Sequence, residues 1–258
     1  MRRKVLDKFA LENAKRERER RIRIKRTEEY DYLEGVFDKP TLLCIYKLLN
    51  DRIISEFDGS ISTGKESQVY YAVAPHNEER AIKIFNTGNL EFRKSISRYI
   101  VGDPRFAKIR RTSAGLIGTW ALKEYTNLKT LAEAGLNVPR PIVVRRNVLV
   151  MQFIGRNGLR APLLKETSLQ DPKKIYAELV DFIVKAYLKG GIIHGDLSEY
   201  NVMIMDGSAC VFDVSQAISI RHPIAAELLE RDIERVNEYF SKMGVKVFSS
   251  EQIKAELK

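Results

Sequence analysis

The sequence predicts an α+β chain in two lobes, an antiparallel sheet followed by a mainly helical part. Three observations carry this expectation. Runs of β-type residues broken by polar turns fill much of the stretch before position 155. Two apolar stripes at helical spacing, one beginning at Asp171 and one at Ile224, dominate the remainder of the chain. A length of 258 residues suffices for one large domain or a two-lobed one. The expected divisions are a basic helical arm over 1–39, a sheet lobe with a preceding helix over 40–155, and a helical lobe over 156–258.

Composition narrows the class. No apolar run approaches the roughly 18 residues of a membrane span, and the N-terminus lacks the apolar core of a signal peptide, so a cytoplasmic protein without a membrane partner is expected. Cys44 and Cys210 lie in apolar runs without Cys or His at metal-ligand spacing and read as buried thiols. The net charge of +10 suggests an anionic partner.

Much of that charge stands at the start, where twelve Lys or Arg and four acidic residues fall between Arg2 and Arg26. The Arg-Glu alternation from Lys15 to Arg21 supports a solvated helix through pairs on neighbouring turns, and phosphate binding fits it equally. From Pro40, Leu42, Ile45, Leu48 and Leu49 have the period of a packed helix. A hairpin comes next, with the polar turn Ser62-Thr63-Gly64-Lys65-Glu66-Ser67 ahead of Val69. Its amides and hydroxyls suit phosphate oxygens, but no P-loop is present, because the upstream glycine is absent and a strand comes after the turn.

Lys83 then interrupts the apolar strand Ala81-Ile82-Lys83-Ile84-Phe85. Such a lysine either snorkels to a surface or needs a carboxylate partner, for which Glu124 in the helical run Trp120–Leu128 is the candidate. The long connection 86–111 carries seven cations, among them Arg98 and Arg105, and reads either as a mobile functional segment or as a solvated insertion. Two strands, 141–145 and 148–155, are joined across an Arg-Asn turn. A helix from Asp171 runs to Gly190-Gly191, a second runs from Ile224 to Met243, and a short terminal helix is expected after it.

The stretch His194-Gly195-Asp196-Leu197-Ser198-Glu199-Tyr200-Asn201 sets a carboxylate and a carboxamide five residues apart between apolar runs. In the catalytic loop of protein kinases an Asp so placed accepts the substrate hydroxyl proton, and the Asn holds a magnesium ion. A further apolar strand delivers Asp213 twelve residues after Asn201, where that pattern puts a metal-binding Asp. Phosphoryl transfer needs positioning and charge neutralisation, and magnesium takes few protein oxygens, so this small set suffices.

Taken together, the phosphate loop Ser62–Ser67, the catalytic loop His194–Asn201 and the metal loop Asp213-Val214-Ser215-Gln216 resemble the RIO family of atypical serine/threonine protein kinases, most of all its type-one branch. The resemblance spans roughly Pro40 to the C-terminus. It implies a trimmed bilobal protein-kinase-like fold with an extra N-terminal helical segment, binding of ATP with Mg2+ or Mn2+, Ser autophosphorylation, and work in small ribosomal subunit maturation on a pre-small-subunit particle and its ribosomal RNA. It further implies that Ser62–Ser67, Val69, Lys83 and Glu124 serve the phosphates. Adenine would lie against Met151, bonded to backbone at Gln152 and Ile154. Asp196 would be the base, Asn201 and Asp213 the metal ligands, and Asp213 also the acceptor of an aspartyl-phosphate in ATP hydrolysis.

Gly195 stands where ordinary protein kinases carry Arg, and the 45 residues after Asp213 contain no A-P-E sequence. The platform that seats a peptide is therefore expected to be mostly missing, which favours ATPase-driven release over transfer to a protein in trans. Two alternatives stay open on these residues: a small-molecule phosphotransferase of the aminoglycoside type, which can share the H-G-D-x-x-x-x-N loop, and a non-catalytic RNA-binding assembly factor, which would explain the charge.

Overall fold

The structure, a computed structural model, describes residues 37–87, 90–106 and 113–257. The chain divides into two compact units, Met1–Lys47 and Leu48–Lys258. Most of the expected basic arm lies outside the described residues. What is described of the first unit is the start of helix α1 (Lys39–Asn50). Asp38 opens it, its carboxylate accepting the Thr41 amide at 2.9 Å, and Pro40 sits in the first turn where no amide donor is needed.

The second unit begins with a five-stranded antiparallel sheet in the order β1-β2-β3-β5-β4. Its strands are β1 (Glu56–Thr63), β2 (Ser67–Ala74), β3 (Glu78–Phe85), β4 (Pro141–Arg145) and β5 (Val148–Gln152). The edge strand β1 is largely exposed and its register with β2 shifts twice, which bends the strand just before the 64–66 turn. At the centre, β3 pairs Lys83 with Val69 on one side and Leu149 on the other, so the three side chains share one face. Apolar neighbours on both flanks keep the lysine stem dry.

That face is covered by α3 (Ser113–Glu133), whose Ile117, Trp120, Ala121, Leu128 and Leu131 recur at helical spacing and are buried. The reading of 86–111 as a mobile segment or a solvated insertion is corrected where the segment is described. Helix α2 (Leu90–Ile100) and a 3-10 turn at Pro104–Phe106 bury Ile96, Ile100 and Phe106 in the main core. Apolar residues spaced four apart among charges make this an amphipathic helix.

After β5 the chain passes through the small hairpin of β6 (Gly155–Arg156) and β7 (Leu159–Arg160) into the helical lobe. Helix α4 (Pro172–Leu188) is capped by Asp171, which accepts the Lys174 amide at 3.0 Å, and it stops at the expected glycine pair. Short strands then frame the loops of interest. β8 (Ile192–Ile193) pairs with β11 (Ile218–Ser219), and β9 (Val202–Met205) pairs with β10 (Ser208–Val211). Helix α5 (Ala225–Lys242) and α6 (Ser250–Ala255) close the lobe. Both cysteines are buried thiols outside any disulfide among the described residues, as their apolar surroundings predict.

Gly155 leaves no room for a side chain at the passage between lobes, since a Cβ there would stand 2.2 Å from the Leu159 carbonyl oxygen and 2.8 Å from the Arg160 Cα. Both obstacles are backbone and cannot swing away. Gly155→Ala is expected to destabilise the protein by about 1–3 kcal/mol through overpacking. Thermal denaturation checks this, and an unchanged Tm would show that the β6–β7 hairpin yields.

Candidate active site

A cleft of about 350 Å³ opens between the sheet and the helical lobe. Its roof comes from Ser62, Gly64, Ser67 and Val69, its back from Met151, Gln152 and Ile154, and its floor from Asn201 and Asp213, with Lys83 and Glu124 at the inner end. Most of the residues expected to meet a nucleotide therefore line one space. Thr63, Lys65 and Glu66 stand on the same turn without lining it. Thr63 shares its hydroxyl with Ser60 at 3.1 Å, and the Glu66 carbonyl accepts the Asn86 amide at 2.9 Å, which ties the turn to the end of β3.

At the inner end the Lys83 ammonium lies 2.9 and 2.8 Å from the two oxygens of Glu124 and 2.7 Å from Asp213 Oδ1. Strand β3, helix α3 and the metal loop thus meet at one nitrogen. Burial by itself would lower the Lys83 pKa, but the Asp213 and Glu124 carboxylates outweigh it and hold the group above its ordinary value. One ammonium cannot fully compensate two carboxylates. Burial pushes Glu124 up to about 7 despite Lys83, whereas Lys83 and the Ser215 hydroxyl hold Asp213 below the usual carboxylate range against its own desolvation. Asp213 keeps 41% of its side chain exposed to the cleft, so it is the ionised member that faces a ligand.

Asp213 also carries the left-handed backbone φ 55°, ψ 58°, uncommon for a residue with a Cβ. What holds it there comes from α3. Lys123, fully buried, donates to the Ser215 carbonyl at 2.8 Å and to that of Ala217, while Asn127 Nδ2 donates to Val214 and Ala217 at 2.8 and 2.9 Å. Asn127 Oδ1 in turn accepts from Arg105 at 2.8 Å, and Arg105 is clamped by the buried Asp103 carboxylate at 2.7 and 3.0 Å. Arg105 stays exposed at the surface, but its guanidinium is committed to these two buried partners and is tied to α3. Burial, reinforced by the Arg105 charge, drives the Lys123 pKa well below its ordinary value.

The catalytic loop is shaped from beneath by α5. Asp232, 1% exposed, accepts the amides of Gly195 and Leu197 at 2.7 and 2.9 Å, and Arg231 donates to the Gly195 carbonyl. Gly195 has φ +79°, and a Cβ on it would meet Leu228 at 3.0 Å, which explains glycine at this position. His194 accepts the Asp196 amide on Nδ1 at 3.3 Å and faces the Phe212 carbonyl with Nε2 at 3.2 Å, linking the two loops as the Nε2–H tautomer. Asn201 donates Nδ2 to the Asp196 carbonyl at 2.8 Å, which turns its Oδ1 away from the loop.

An amide oxygen and a carboxylate, converging from two loops, form a hard-oxygen donor pair that fits a magnesium-type cation completed by phosphates and water. Among the described residues no group of three or more His, Cys, Asp or Glu is placed to hold a metal ion by itself. Local sequence pattern does not mark Lys123, Asn127, Asp103, Arg105, Asp232 or Arg235 as site residues. The only signal for Asp232 is a carboxylate inside the apolar stripe Leu228, Leu229, Ile233, Val236.

A family profile, the RIO domain, matches residues 68–253. The RIO-type serine/threonine-protein kinase Rio1 of Haloferax volcanii is 39% identical over 224 residues, covering 87% of this chain and 77% of that protein. Human serine/threonine-protein kinase RIO1 is 37% identical over 235 residues, covering 90% of this chain and 41% of that one, so the chain spans less than half of that relative. The crystal structure of the Rio2 kinase-ADP/Mg2+-phosphoaspartate complex from Chaetomium thermophilum has the same fold, with a TM-score of 0.67 at 24% identity over 84% of this chain and 65% of that one.

The raised Glu124 carboxyl has a consequence for stability. Between its ordinary 4.5 and about 7 the folded chain holds a proton that the unfolded chain has released, so this group's contribution falls as pH rises through that window. Lys83 is raised too, but as a cation it keeps its contribution until strongly alkaline pH. The Tm of Glu124→Gln, compared with that of the parent, is expected to shift in the variant's favour between pH 5 and pH 8. A difference that does not change with pH would contradict the assignment.

Proposed function

The chain belongs to the RIO family of serine/threonine-protein kinases, and on that premise we propose that it is an atypical serine kinase and ATPase that binds ATP with Mg2+ or Mn2+ in the cleft under β1 and β2. The observation that carries the reading is the meeting of Lys83, Glu124 and Asp213 at the inner end of the cleft, with Asn201 beside Asp213 on its floor and Asp196 bonded to Asn201 just outside it. Family membership and the set of catalytic side chains weigh against the small-molecule phosphotransferase and the non-catalytic assembly factor.

In the proposed reaction the acceptor serine hydroxyl gives its proton to Asp196 as its oxygen attacks the γ-phosphorus of ATP. The bond from that phosphorus to the bridging oxygen breaks, and ADP leaves with the electron pair. Lys83, kept charged by its two carboxylates, pairs with the α- and β-phosphates. Asn201 and Asp213 would hold the metal ion, which supplies charge neutralisation at the phosphates when bound. Backbone groups at Gln152 and Ile154 suit the adenine edge, with Met151 behind it. For hydrolysis, an Asp213 carboxylate oxygen would attack the γ-phosphorus, the bond from that phosphorus to the bridging oxygen breaks and ADP leaves with the electron pair, and water later cleaves the acyl-phosphate to carboxylate and inorganic phosphate. The low pKa of Asp213 suits this, because an ionised carboxylate needs no base to attack.

We place this activity in the cytoplasm, in maturation of the small ribosomal subunit, with ribosomal RNA as partner. The +10 charge supports the anionic RNA partner. With γ-labelled ATP and Mg2+, Asp196→Ala is expected to lower serine phosphorylation on the order of 10²–10⁴-fold while ADP affinity survives. Asp213→Ala is expected to weaken metal-dependent nucleotide binding in isothermal titration and to remove acyl-phosphate. Parental turnover in Asp196→Ala would overturn the reading.

RNA contact through phosphates predicts affinity that falls steeply between about 50 and about 200 mM salt and is indifferent to base sequence. Fluorescence anisotropy with a structured small-subunit RNA fragment measures it. The proposal fails if nothing binds at low salt, or if neutralising Arg16, Arg18, Arg20 and Arg21 together leaves both affinity and salt slope unchanged.

A further inference from the structure

A second hollow, a groove of about 460 Å³, lies beside the nucleotide cleft between the catalytic loop and α5. Asp196 lines the groove and does not line the cleft, whereas Tyr200 and Asn201 line both. The carboxylate assigned as base therefore faces the groove, and the two spaces communicate at Tyr200 and Asn201. A hydroxyl approaching Asp196 from the side away from the nucleotide must pass along this groove.

Within it Asp196 is held unevenly. Arg235 Nη1 lies 2.6 Å from Oδ1, a short charge-assisted hydrogen bond, whereas Oδ2 has only long contacts, 3.3 Å from Gln216 Nε2 and 3.5 Å from Asn201 Nδ2. One oxygen is anchored and the other keeps a lone pair open. The pair is 40% and 32% exposed at its side chains, so as a surface ion pair it adds little to stability. Its place is better explained by what it does to Asp196. Asp232 and Arg231, on the same helix, already fix the loop backbone around Gly195, which leaves the side-chain torsions of Asp196 as the remaining freedom. Arg235 stands one turn beyond Arg231 and removes that freedom.

We propose that the groove between the catalytic loop and α5 admits the serine-bearing acceptor segment, and that Arg235 is a positioning residue which aims Asp196 Oδ2 at the acceptor hydroxyl. This deepens the kinase reading and rests on it. The proton still passes from the hydroxyl to Asp196, and Arg235 exchanges none; it fixes the direction from which the proton is taken.

The test compares Arg235→Met, Arg235→Lys and Arg235→Gln with the parent chain, using γ-labelled ATP with Mg2+ for kcat and KM and ADP for nucleotide affinity. Arg235→Met is expected to lower kcat on the order of 10- to 100-fold, the scale of a misplaced catalytic group, with KM for ATP and ADP affinity within about twofold of the parent. Arg235→Lys, which keeps one charged donor, is expected to recover several-fold of that loss. A merely structural role would move ADP affinity together with kcat and would count against the proposal. So would an unchanged or increased kcat in Arg235→Met, or a loss that lysine does not relieve. If Arg235→Met fails to fold, Arg235→Gln against Arg235→Lys makes the same comparison. A parent that neither transfers nor hydrolyses ATP sinks the kinase reading and this proposal with it, whereas an active parent and an equally active Arg235→Met sink only the proposal.

Discussion

The Lys83 ammonium is the point on which the site depends, because three elements with no local reason to meet each bring a charge to it. A sheet strand supplies the cation, α3 supplies Glu124, and the metal loop supplies Asp213. None of these groups tolerates the interior alone. Removing one member of a buried pair costs roughly 3–5 kcal/mol, so the strand, helix and loop are held to a common geometry by the penalty of separating them. The same penalty keeps a protonated lysine at the inner end of the cleft.

Two helices then divide the labour of shaping the loops. Helix α3 turns Lys123, Glu124 and Asn127 inward and holds the carbonyls of 214, 215 and 217, which stabilises the left-handed backbone at Asp213. Helix α5 turns Arg231, Asp232 and Arg235 toward the catalytic loop and holds its amides, its carbonyl and its carboxylate. Ordinary packing does not require so many buried polar groups, each of which is tolerated only when satisfied. In this chain Lys123, Asn127, Arg231 and Asp232 find loop backbone, Glu124 finds Lys83 and Arg235 finds the Asp196 carboxylate. Loop shape is thereby built into the two helices, and nothing among these contacts depends on a modified residue.

Much of the fold could be read from local pattern. The hairpin ahead of Lys83, the strand pair across Arg146-Asn147, the Asp171 cap and the apolar stripe of α5 are each decided by neighbours within a few residues, where backbone propensity and side-chain periodicity act. The segment 86–111 resisted that reading, because α2 carries its apolar residues among basic ones and its burial depends on α3 being there to receive Ile96 and Ile100. Arg105 looked like surface charge for the same reason. Its partners, Asp103 and Asn127, lie two and twenty-two residues away, and only the distant one shows that this exposed guanidinium is tied to α3.

By itself the sequence determined the spacing of Asp196, Asn201 and Asp213, the strand that carries Lys83 and the helix that carries Glu124, since these are properties of short stretches with a strong pattern. Tertiary structure decided which polar residues serve them. Lys83 finds Glu124 41 residues on and Asp213 130 residues on, and a charged residue on an amphipathic helix reads alike whether it points to water or inward. The stripe of α5 places Asp232 among buried positions, yet only the folded loop above it turns that carboxylate into an acceptor for Gly195 and Leu197. Periodicity reports which side of a helix is dry. What stands opposite that side is set by long-range packing, whose closure brings together groups that no local rule pairs.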